Sequence, residues 1–172
     1  MQIRLDLIED EPFAWSEAET IDAASLERSD LLGLTKIEWS GSVTKAHPGY
    51  RFLAELRYGQ TLACGRCLKQ YEMPVESNVD LIAMIRPTAP MTGEAQLEAS
   101  DLGVLALDTE TLDTDPILLE QLDLNVPMRV LCRPECAGLC PSCGADRNET
   151  PDCCDGEEID PRWQALKNLE LS

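Results

Sequence analysis

The stretch Lys36-Ile37-Glu38-Trp39-Ser40-Gly41-Ser42-Val43-Thr44 alternates apolar and polar residues, and Phe52-Leu53-Ala54-Glu55-Leu56-Arg57-Tyr58 alternates in the same way shortly afterwards. Alternation with a period of two is typical of strands that have one buried face and one face in water. Between the two stretches, His47-Pro48-Gly49 supplies residues that favour a turn. We therefore predict an antiparallel hairpin at the centre of the fold.

Further strands are predicted outward from this hairpin. Alternation continues through Val79, Leu81, Ala83 and Ile85 and stops at Pro87. Together, these patterns predict strands near residues 2–8, 35–45, 50–63, 70–86 and 102–108. A weaker pattern over residues 18–30 indicates a short helix.

Two later segments carry the same signal for a helix start. Asp115-Pro116 and Asp160-Pro161 each precede an amphipathic run. Asp at an N-cap accepts backbone N–H groups that have no partner within the helix, and Pro at the first helical position has no N–H to satisfy. We predict a short helix after each pair.

Six of the eight cysteines lie within 23 residues, as Cys132-x3-Cys136-x3-Cys140-x2-Cys143 followed by Cys153-Cys154. The segment Cys140-Pro141-Ser142-Cys143-Gly144 has the form of a zinc knuckle, in which two thiolates bind one ion from a tight turn. Pro141 fixes one φ angle, and Gly144 allows the left-handed conformation with which the chain leaves the turn. The spacing predicts a structural zinc ion, which needs two further thiolates.

Two cysteine pairs compete to complete this site, namely Cys132/Cys136 and Cys153/Cys154. Gly138 gives Cys136 the freedom to fold back towards Cys140. Since adjacent side chains tend to point in different directions, we expect one of Cys153 and Cys154 to be a ligand and the other a bystander.

The pair Cys64 and Cys67, in Cys64-Gly65-Arg66-Cys67, allows three interpretations. A C-x-x-C dithiol can be a redox centre, but that chemistry usually needs a helix after the first cysteine, and here Pro74 and strand-like flanks oppose one. The pair can instead join Cys132 and Cys136 in a second zinc site. We favour the third interpretation, a hairpin knuckle with two free thiols.

The cysteine-rich segment has few apolar residues, so a metal ion would replace a missing core there. We predict a β-rich core domain over residues 1–125, with a mobile loop at 87–100, and a cysteine-rich zinc segment with a terminal helix over 126–172. The fold class is α+β, with an antiparallel β-sheet-rich core, a few short helices and a C-terminal zinc-stabilised segment.

Charge limits the partners of this chain of 172 residues. Its formal net charge is −18, and no Lys or Arg occurs between Arg86 and Arg129, where there are nine carboxylates. Such a chain repels nucleic acid and anionic membranes at long range, so basic proteins are its more natural partners. Alternatively, the acidity serves only solubility.

Basic residues nevertheless flank the cysteines, among them Arg66, Lys69, Arg129 and Arg133. They are candidates for a local contact with RNA or a protein partner. The simpler interpretation, which we favour, is that arginines neutralise the charge of a four-thiolate zinc site.

The sequence gives no positive sign of catalysis, export or membrane insertion. It contains no nucleophile–base pattern, no phosphate-binding Gly-rich loop and no H-E-x-x-H motif, and an all-cysteine zinc site is usually structural. The first residues lack the apolar region of a signal peptide, and the longest apolar stretch, residues 102–107, is far shorter than a membrane span. We expect a non-enzymatic cytoplasmic protein without a small-molecule substrate, in which reduced thiols bind metal.

These motifs resemble the YceD family, the large ribosomal RNA subunit accumulation proteins. Cys64-Gly65-Arg66-Cys67-Leu68 is similar to the family's C-x-R-C-L segment, and residues 124–144 are similar to its C-terminal signature. Asn148, the late cysteines and the closing stretch 160–166 also match. The family usually ends its cluster with C-x-C, whereas Asp152-Cys153-Cys154 stands here.

The resemblance has implications for both site and function. Counting back from Asp160 favours Cys154 over Cys153, so the predicted ligands are Cys136, Cys140, Cys143 and Cys154, with Cys132 and Cys153 as competitors. Family membership implies a role in accumulation or maturation of large-subunit ribosomal RNA, which we expect to involve a basic ribosomal protein, an assembly factor or the RNA itself. Two rivals remain, a redox-responsive zinc-thiolate switch and a dithiol oxidoreductase that uses Cys64 and Cys67.

Overall fold

The computed structural model describes residues 1–85, 103–154 and Arg162. It confirms an α+β fold dominated by strands. The predicted loop at 87–100 and the helix predicted after Asp160-Pro161 fall outside the described residues. The strands and the one α-helix of the described part are β1 (Gln2–Arg4), β2 (Phe13–Glu19), β3 (Leu31–Leu34), β4 (Ile37–Lys45), β5 (Tyr50–Ala63), β6 (Gln70–Ile85), β7 (Val104–Leu107), β8 (Thr111–Asp113) and α1 (Asp115–Leu124).

A long antiparallel pair, β5 and β6, forms the centre of the main sheet. Its register runs from Tyr50↔Ala83 to Ala63↔Gln70, so residues 64–69 form the loop at one end of the pair. The strand order is β2-β4-β5-β6-β7, and β3 pairs with β5 beyond the end of β4. Among the strands of the described residues, only β7 is parallel to its neighbour, and β1 forms a separate two-stranded sheet with β8.

The core lies on the face of the sheet where the predicted apolar residues alternate. Trp39, Phe52 and Leu56 are almost completely buried, as alternation predicts for one face of a half-buried sheet. The rings of Trp15 and Trp39 lie 5.1 Å apart at 58°, a tilted geometry that favours contact between aromatic rings. Residues of α1 and of the first ten residues pack into the same cluster.

A smaller apolar cluster connects the main sheet to the chain that follows α1. It contains Ala23, Leu31, Leu62, Val126 and Val130. Leu62 is fully buried near the end of β5, so Val126 and Val130 hold the following segment against the loop between β5 and β6. This packing determines where the cysteine-rich segment begins.

The central strands and α1 confirm the predictions, but three features differ. Only Gln2–Arg4 of the strand predicted at 2–8 is extended, and a 3₁₀ turn, Leu5–Leu7, follows it. The helix predicted at 18–30 is wrong, because β2 continues to Glu19 and only a 3₁₀ turn forms at Ala23–Leu26. The N-cap of α1 is Thr114 and not Asp115.

Strands β2, β3 and β8 were not predicted, and each is short or at an edge. In β2, Trp15 alone is buried, because the strand lies at the edge of the sheet. A single buried residue leaves too little alternation to detect. No helix in residues 1–85 and 103–154 has the length and apolar character needed to cross a membrane.

Candidate metal centre

The eight cysteines form two groups of four. Within each group the sulfur atoms all lie within 4.8 Å of one another. We call the first group, Cys64, Cys67, Cys132 and Cys136, the hairpin cluster, because its first two members lie in the loop between β5 and β6. We call the second group, Cys140, Cys143, Cys153 and Cys154, the distal cluster.

The loop Cys64–Lys69, which we call the hairpin knuckle, is closed by its own backbone. The N–H of Leu68 donates to the carbonyl of Cys64 at 2.9 Å, and the N–H of Cys64 donates to the carbonyl of Lys69 at 2.9 Å. Leu68 has a φ of 60°, in the left-handed region that L-residues seldom adopt. This tight turn brings the thiols of Cys64 and Cys67 to one side of the loop.

The segment Cys140–Ala145, which we call the distal knuckle, has the same backbone pattern. The N–H of Gly144 donates to the carbonyl of Cys140 at 2.9 Å, and the N–H of Cys140 donates to the carbonyl of Ala145 at 2.8 Å. Gly144 has a φ of 75°, which confirms the left-handed turn predicted from the sequence. The two knuckles are therefore the same local structure, although their sequences differ.

Both knuckles also stabilise a thiolate on their first cysteine. Burial acts to raise the pKa of Cys64, but N–H groups of Cys67, Cys132 and Arg66 that donate to its sulfur outweigh burial and lower the pKa to about 6. The N–H groups of Cys143 and Ser142 likewise lower the pKa of Cys140 to about 6. A metal ion binds the deprotonated form, so each knuckle is prepared for a cation.

The other half of the hairpin cluster reaches the loop through the chain after α1. The N–H of Gly65 donates to the carbonyl of Val130 at 2.8 Å, and the N–H of Leu139 donates to the carbonyl of Arg66 at 3.1 Å. The guanidinium of Arg66 donates to the carbonyl of Cys136 at 2.7 Å. These bonds hold residues 130–139 across the hairpin knuckle.

The sulfur spacing of the hairpin cluster fits a tetrahedral metal ion. The Sγ atoms of Cys64 and Cys136 are 3.8 Å apart, as are those of Cys67 and Cys132. With Zn–S bonds of about 2.3 Å, the edges of a regular tetrahedron are about 3.8 Å. A disulfide needs about 2.05 Å, and all eight cysteines are free thiols. Of the eight, only Cys143 and Cys154 are exposed.

Both adjacent cysteines belong to the distal cluster, contrary to the expectation of one ligand and one bystander. Contact with the sulfur of Cys140 raises the pKa of Cys153 to about 11, and contact with that of Cys143 raises the pKa of Cys154 to about 12. Four sulfurs packed together repel additional negative charge until a cation joins them. Adjacent side chains can thus converge on one ion.

The predicted ligand set therefore needs correction at Cys136. The structure places Cys136 with Cys64, Cys67 and Cys132, and it leaves Cys140, Cys143 and Cys154 in the distal cluster with Cys153. The structure also brings Cys64 and Cys67 together with Cys132 and Cys136, which is the grouping of the alternative interpretation and not of the favoured one. The physical reason is Gly138, whose φ of 75° leads the chain from one cluster to the next instead of folding Cys136 back towards Cys140.

Asn148, which follows the distal knuckle in the chain, contacts the hairpin cluster, a role that sequence reasoning missed. Its Nδ2 lies 3.5 Å from the Sγ of Cys136, and its Oδ1 accepts from the N–H of Ala137 at 2.9 Å and from Arg133 at 2.6 Å. A side chain that donates a hydrogen bond to a metal-ligating sulfur orients that sulfur and tunes its charge. The only feature of the sequence that pointed to Asn148 was its match to the pattern of the YceD family.

Three of the four predicted contact residues bind within the protein. Arg66 and Arg133 donate to the carbonyl of Cys136 and to Asn148, and Lys69 pairs with Asp146 at 2.8 Å and with Glu149. The ammonium of Lys69 lowers the pKa of Asp146 to about 2. The fourth, Arg129, is exposed. Arg66, Lys69 and Arg133 thus make contacts around the two clusters, and none of these contacts is to a sulfur atom.

Comparisons with known proteins identify relatives but not a fold. No solved structure matches the chain. An uncharacterized protein of Mycobacterium tuberculosis is 32% identical over 106 residues, which cover 62% of this chain and 48% of that protein. A protein of Zea mays named large ribosomal RNA subunit accumulation protein YCED homolog 1, chloroplastic, is 28% identical over 142 residues, which cover 69% of this chain and 48% of that protein.

The chain thus spans about half the length of the curated relatives it matches. A family model described as large ribosomal RNA subunit accumulation protein YceD matches residues 54–170, a range that contains both clusters. This match covers more than half of the chain. The chain with its two four-cysteine clusters therefore belongs to the YceD family.

Proposed function

We propose that this protein is a non-enzymatic, cytoplasmic factor in the accumulation or maturation of large-subunit ribosomal RNA. The observation that carries the proposal is the family match over residues 54–170, which includes all eight cysteines. The family name describes an accumulation role and not a reaction. Four thiolates also fill a tetrahedral shell, whereas a catalytic zinc ion needs an open position for water or substrate.

We propose that zinc is the ion that both clusters bind. Tetrahedral all-thiolate sites are typical of structural zinc, and the 3.8 Å sulfur distances agree with its bond length. When bound, zinc supplies a cross-link between segments that bury little apolar surface of their own. Cys132 and Cys136 are thereby tied to the loop between β5 and β6, and Cys153 and Cys154 to the distal knuckle.

We propose a basic polypeptide as the partner. Besides the net charge of −18, a groove of about 780 Å³ formed by residues 2–13 supports this choice. Glu9, Asp10 and Glu11 line the groove, and the ion pairs among the described residues include none of them. Arg4 also lines the groove, but its guanidinium pairs with Asp6. Leu7 and Phe13 also line it and are 68% and 43% exposed, which gives an apolar anchor point within an acidic rim.

Strand edges favour an extended segment in this groove. Among the described residues, β1 pairs only with β8, and β2 pairs only with β4. Both strands contribute to the groove, and a free edge presents backbone groups that an incoming strand can pair with. RNA is the less favoured partner, because carboxylates repel phosphate and because Arg66, Lys69 and Arg133 already have partners within the protein.

The role in ribosomal RNA is tested by depletion in the cells that make the protein. We expect the ratio of large-subunit to small-subunit ribosomal RNA to fall, and we expect the intact gene to restore it. Restoration by a variant in which Cys64, Cys67, Cys140 and Cys143 are all serine would show that the clusters are dispensable. An unchanged RNA ratio after depletion would refute the proposed function.

The partner is tested with a labelled peptide of alternating Lys and Val, by fluorescence anisotropy at low and physiological salt. We expect E9Q/D10N/E11Q to weaken binding about tenfold at low salt, because three nearby carboxylates are lost. The control E72Q/E120Q/E135Q changes the net charge equally, at exposed residues outside the groove, and should alter binding less than twofold. Equal loss in both variants would show non-specific attraction, and tighter binding of an RNA oligonucleotide than of the peptide would favour RNA.

A further inference from the structure

We propose that the two clusters fill in a fixed order, in which the hairpin cluster binds its ion first and more tightly and the distal cluster is completed upon it. This inference rests on the proposed binding of zinc at both clusters. It concerns a dependence of one site on the other that neither the spacing of the cysteines nor the family match implies.

The hairpin cluster is placed by the folded core. Cys64 follows directly after β5, which pairs with β6 up to Ala63↔Gln70, and its side chain is completely buried. Val130, two residues before Cys132, is buried in the apolar cluster that includes Leu62 of β5. Both halves of this site therefore approach one another before any metal is present.

The distal cluster has no comparable support from the core. The apolar clusters of the described residues include no residue later in the chain than Cys136, whereas the distal cysteines begin at Cys140. Cys143 and Cys154 are exposed. Of the four distal cysteines, Cys140 alone is buried. A segment with so little buried apolar surface needs other interactions to become ordered.

The distal segment obtains those interactions from the hairpin cluster. Leu139, directly before Cys140, donates its N–H to the carbonyl of Arg66 within the hairpin knuckle. Lys69, at the end of that knuckle, pairs with Asp146 and Glu149. Asn148 lies against the sulfur of Cys136.

The two clusters support one another unequally. Residues 139–149 are positioned by groups of the hairpin knuckle and by Cys136, whereas the hairpin knuckle is closed by its own backbone and by the end of β5. In return, the distal segment supports only the Cys136 side of the hairpin cluster, through Asn148. Each ion therefore strengthens the binding of the other by the same factor, because coupling between two binding equilibria is reciprocal. The order follows because the hairpin cluster is the better supported of the two while both are empty.

Cobalt titration of the full chain under anaerobic conditions tests this order, because Co²⁺ in a four-thiolate site has a characteristic absorption. We expect two equivalents to bind to the unmodified protein. Cys143→Ser, which removes a distal ligand, should leave one equivalent bound with the affinity of the first equivalent in the unmodified protein, because that equivalent enters the hairpin cluster while the distal cluster is still empty. Cys67→Ser, which removes a hairpin ligand, should also leave one site, but with an affinity at least tenfold weaker than that of the distal site in the unmodified protein.

A second pair of variants changes no ligand and so avoids the possibility that Cys67→Ser misfolds. Lys69→Met removes the ion pairs to Asp146 and Glu149, and we expect it to weaken the distal site two- to fivefold while the hairpin site keeps its affinity. Lys36→Met, at an exposed position in the turn before β4, is the control and should change neither affinity. Near-ultraviolet circular dichroism of Trp15 and Trp39 reports whether the core of each variant is folded.

The outcomes separate this inference from the proposed zinc binding. If Cys67→Ser with a folded core retains the distal site at full affinity, and Lys69→Met has no effect, the sites are independent and the order is refuted. If Cys143→Ser binds its one remaining equivalent more weakly than the unmodified protein binds its first, the hairpin cluster is not filled first and the order is refuted. If the unmodified protein binds no cobalt, the proposed metal binding fails, and the order fails with it.

Discussion

A single methyl group at Gly138 should disturb the connection between the two clusters. Gly138 has a φ of 75°, and a Cβ built on it would lie 3.0 Å from the carbonyl oxygen of Arg66. That oxygen accepts the N–H of Leu139, so it cannot move away without weakening this bond. Gly138→Ala therefore combines a strained backbone with a close contact.

Gly144 is a matched control for the strain alone. It has the same φ of 75°, but a Cβ there would meet nothing within 4 Å. The left-handed conformation costs about 1 kcal/mol for Ala, so Gly144→Ala should destabilise the segment by about that amount. Gly138→Ala adds about 1–2 kcal/mol for overpacking, for a total of about 2–3 kcal/mol.

Native-state hydrogen exchange at the amide of Leu139 measures this difference in the metal-loaded protein. Since every 1.4 kcal/mol is tenfold, exchange should accelerate about 30- to 140-fold in Gly138→Ala and about fivefold in Gly144→Ala. The amide of Phe52, in the core, should exchange at an unchanged rate in both variants. Equal acceleration by the two variants would refute the role assigned to the contact between Gly138 and Arg66.

Three further predictions concern the sites and the core. In a chelator competition, Asn148→Ala should weaken metal binding at the hairpin cluster about 10- to 100-fold, because the substitution removes the side chain that donates to the sulfur of Cys136. The control Asn78→Ala, on the exposed face of β6, should not change the affinity for metal. A colorimetric zinc chelator should remove the two ions in two phases, the first from the distal cluster, in which Cys143 and Cys154 are exposed. One phase with the full amplitude would contradict this difference in burial. Burial raises the pKa of Tyr58 to about 12, so the native state favours the neutral phenol. The stability that comes from this preference is complete below about pH 10, the usual pKa of tyrosine, and is lost as the pH rises towards 12. Alkaline absorbance titration of Tyr58→Phe should lack the last phenol to ionise in the native protein, and an unchanged titration would show that Tyr58 is not the buried phenol.

Sequence reasoning predicted the central sheet because its strands carry the strongest alternation. Strand β5 was predicted at 50–63 and runs from Tyr50 to Ala63, since both its apolar face and its turn before Tyr50 are visible in the sequence. Strands β2 and β8 were missed because edge and short strands bury too few residues to show a period. The helix expected at 18–30 failed because pairing with β4 keeps Phe13–Glu19 extended.

The candidate site was predicted in its chemistry but not in its grouping. The knuckle at Cys140–Gly144 and its left-handed glycine follow from local sequence, and the structure shows both. The pairing of Cys64 and Cys67 with Cys132 and Cys136 joins residues more than sixty positions apart, and the register of β5 with β6 and the packing of Val130 determine it. Contacts of that kind depend on tertiary structure, which spacing alone does not encode.

The central claim is that two separate four-thiolate sites each hold a zinc ion. Elemental analysis of protein purified without oxygen, combined with an accurate protein concentration, tests it most directly. The two clusters predict two zinc ions per chain, with a decrease to one in Cys143→Ser. A ratio of one in the unmodified protein would mean that only one cluster binds metal, and a ratio of zero would contradict the account entirely.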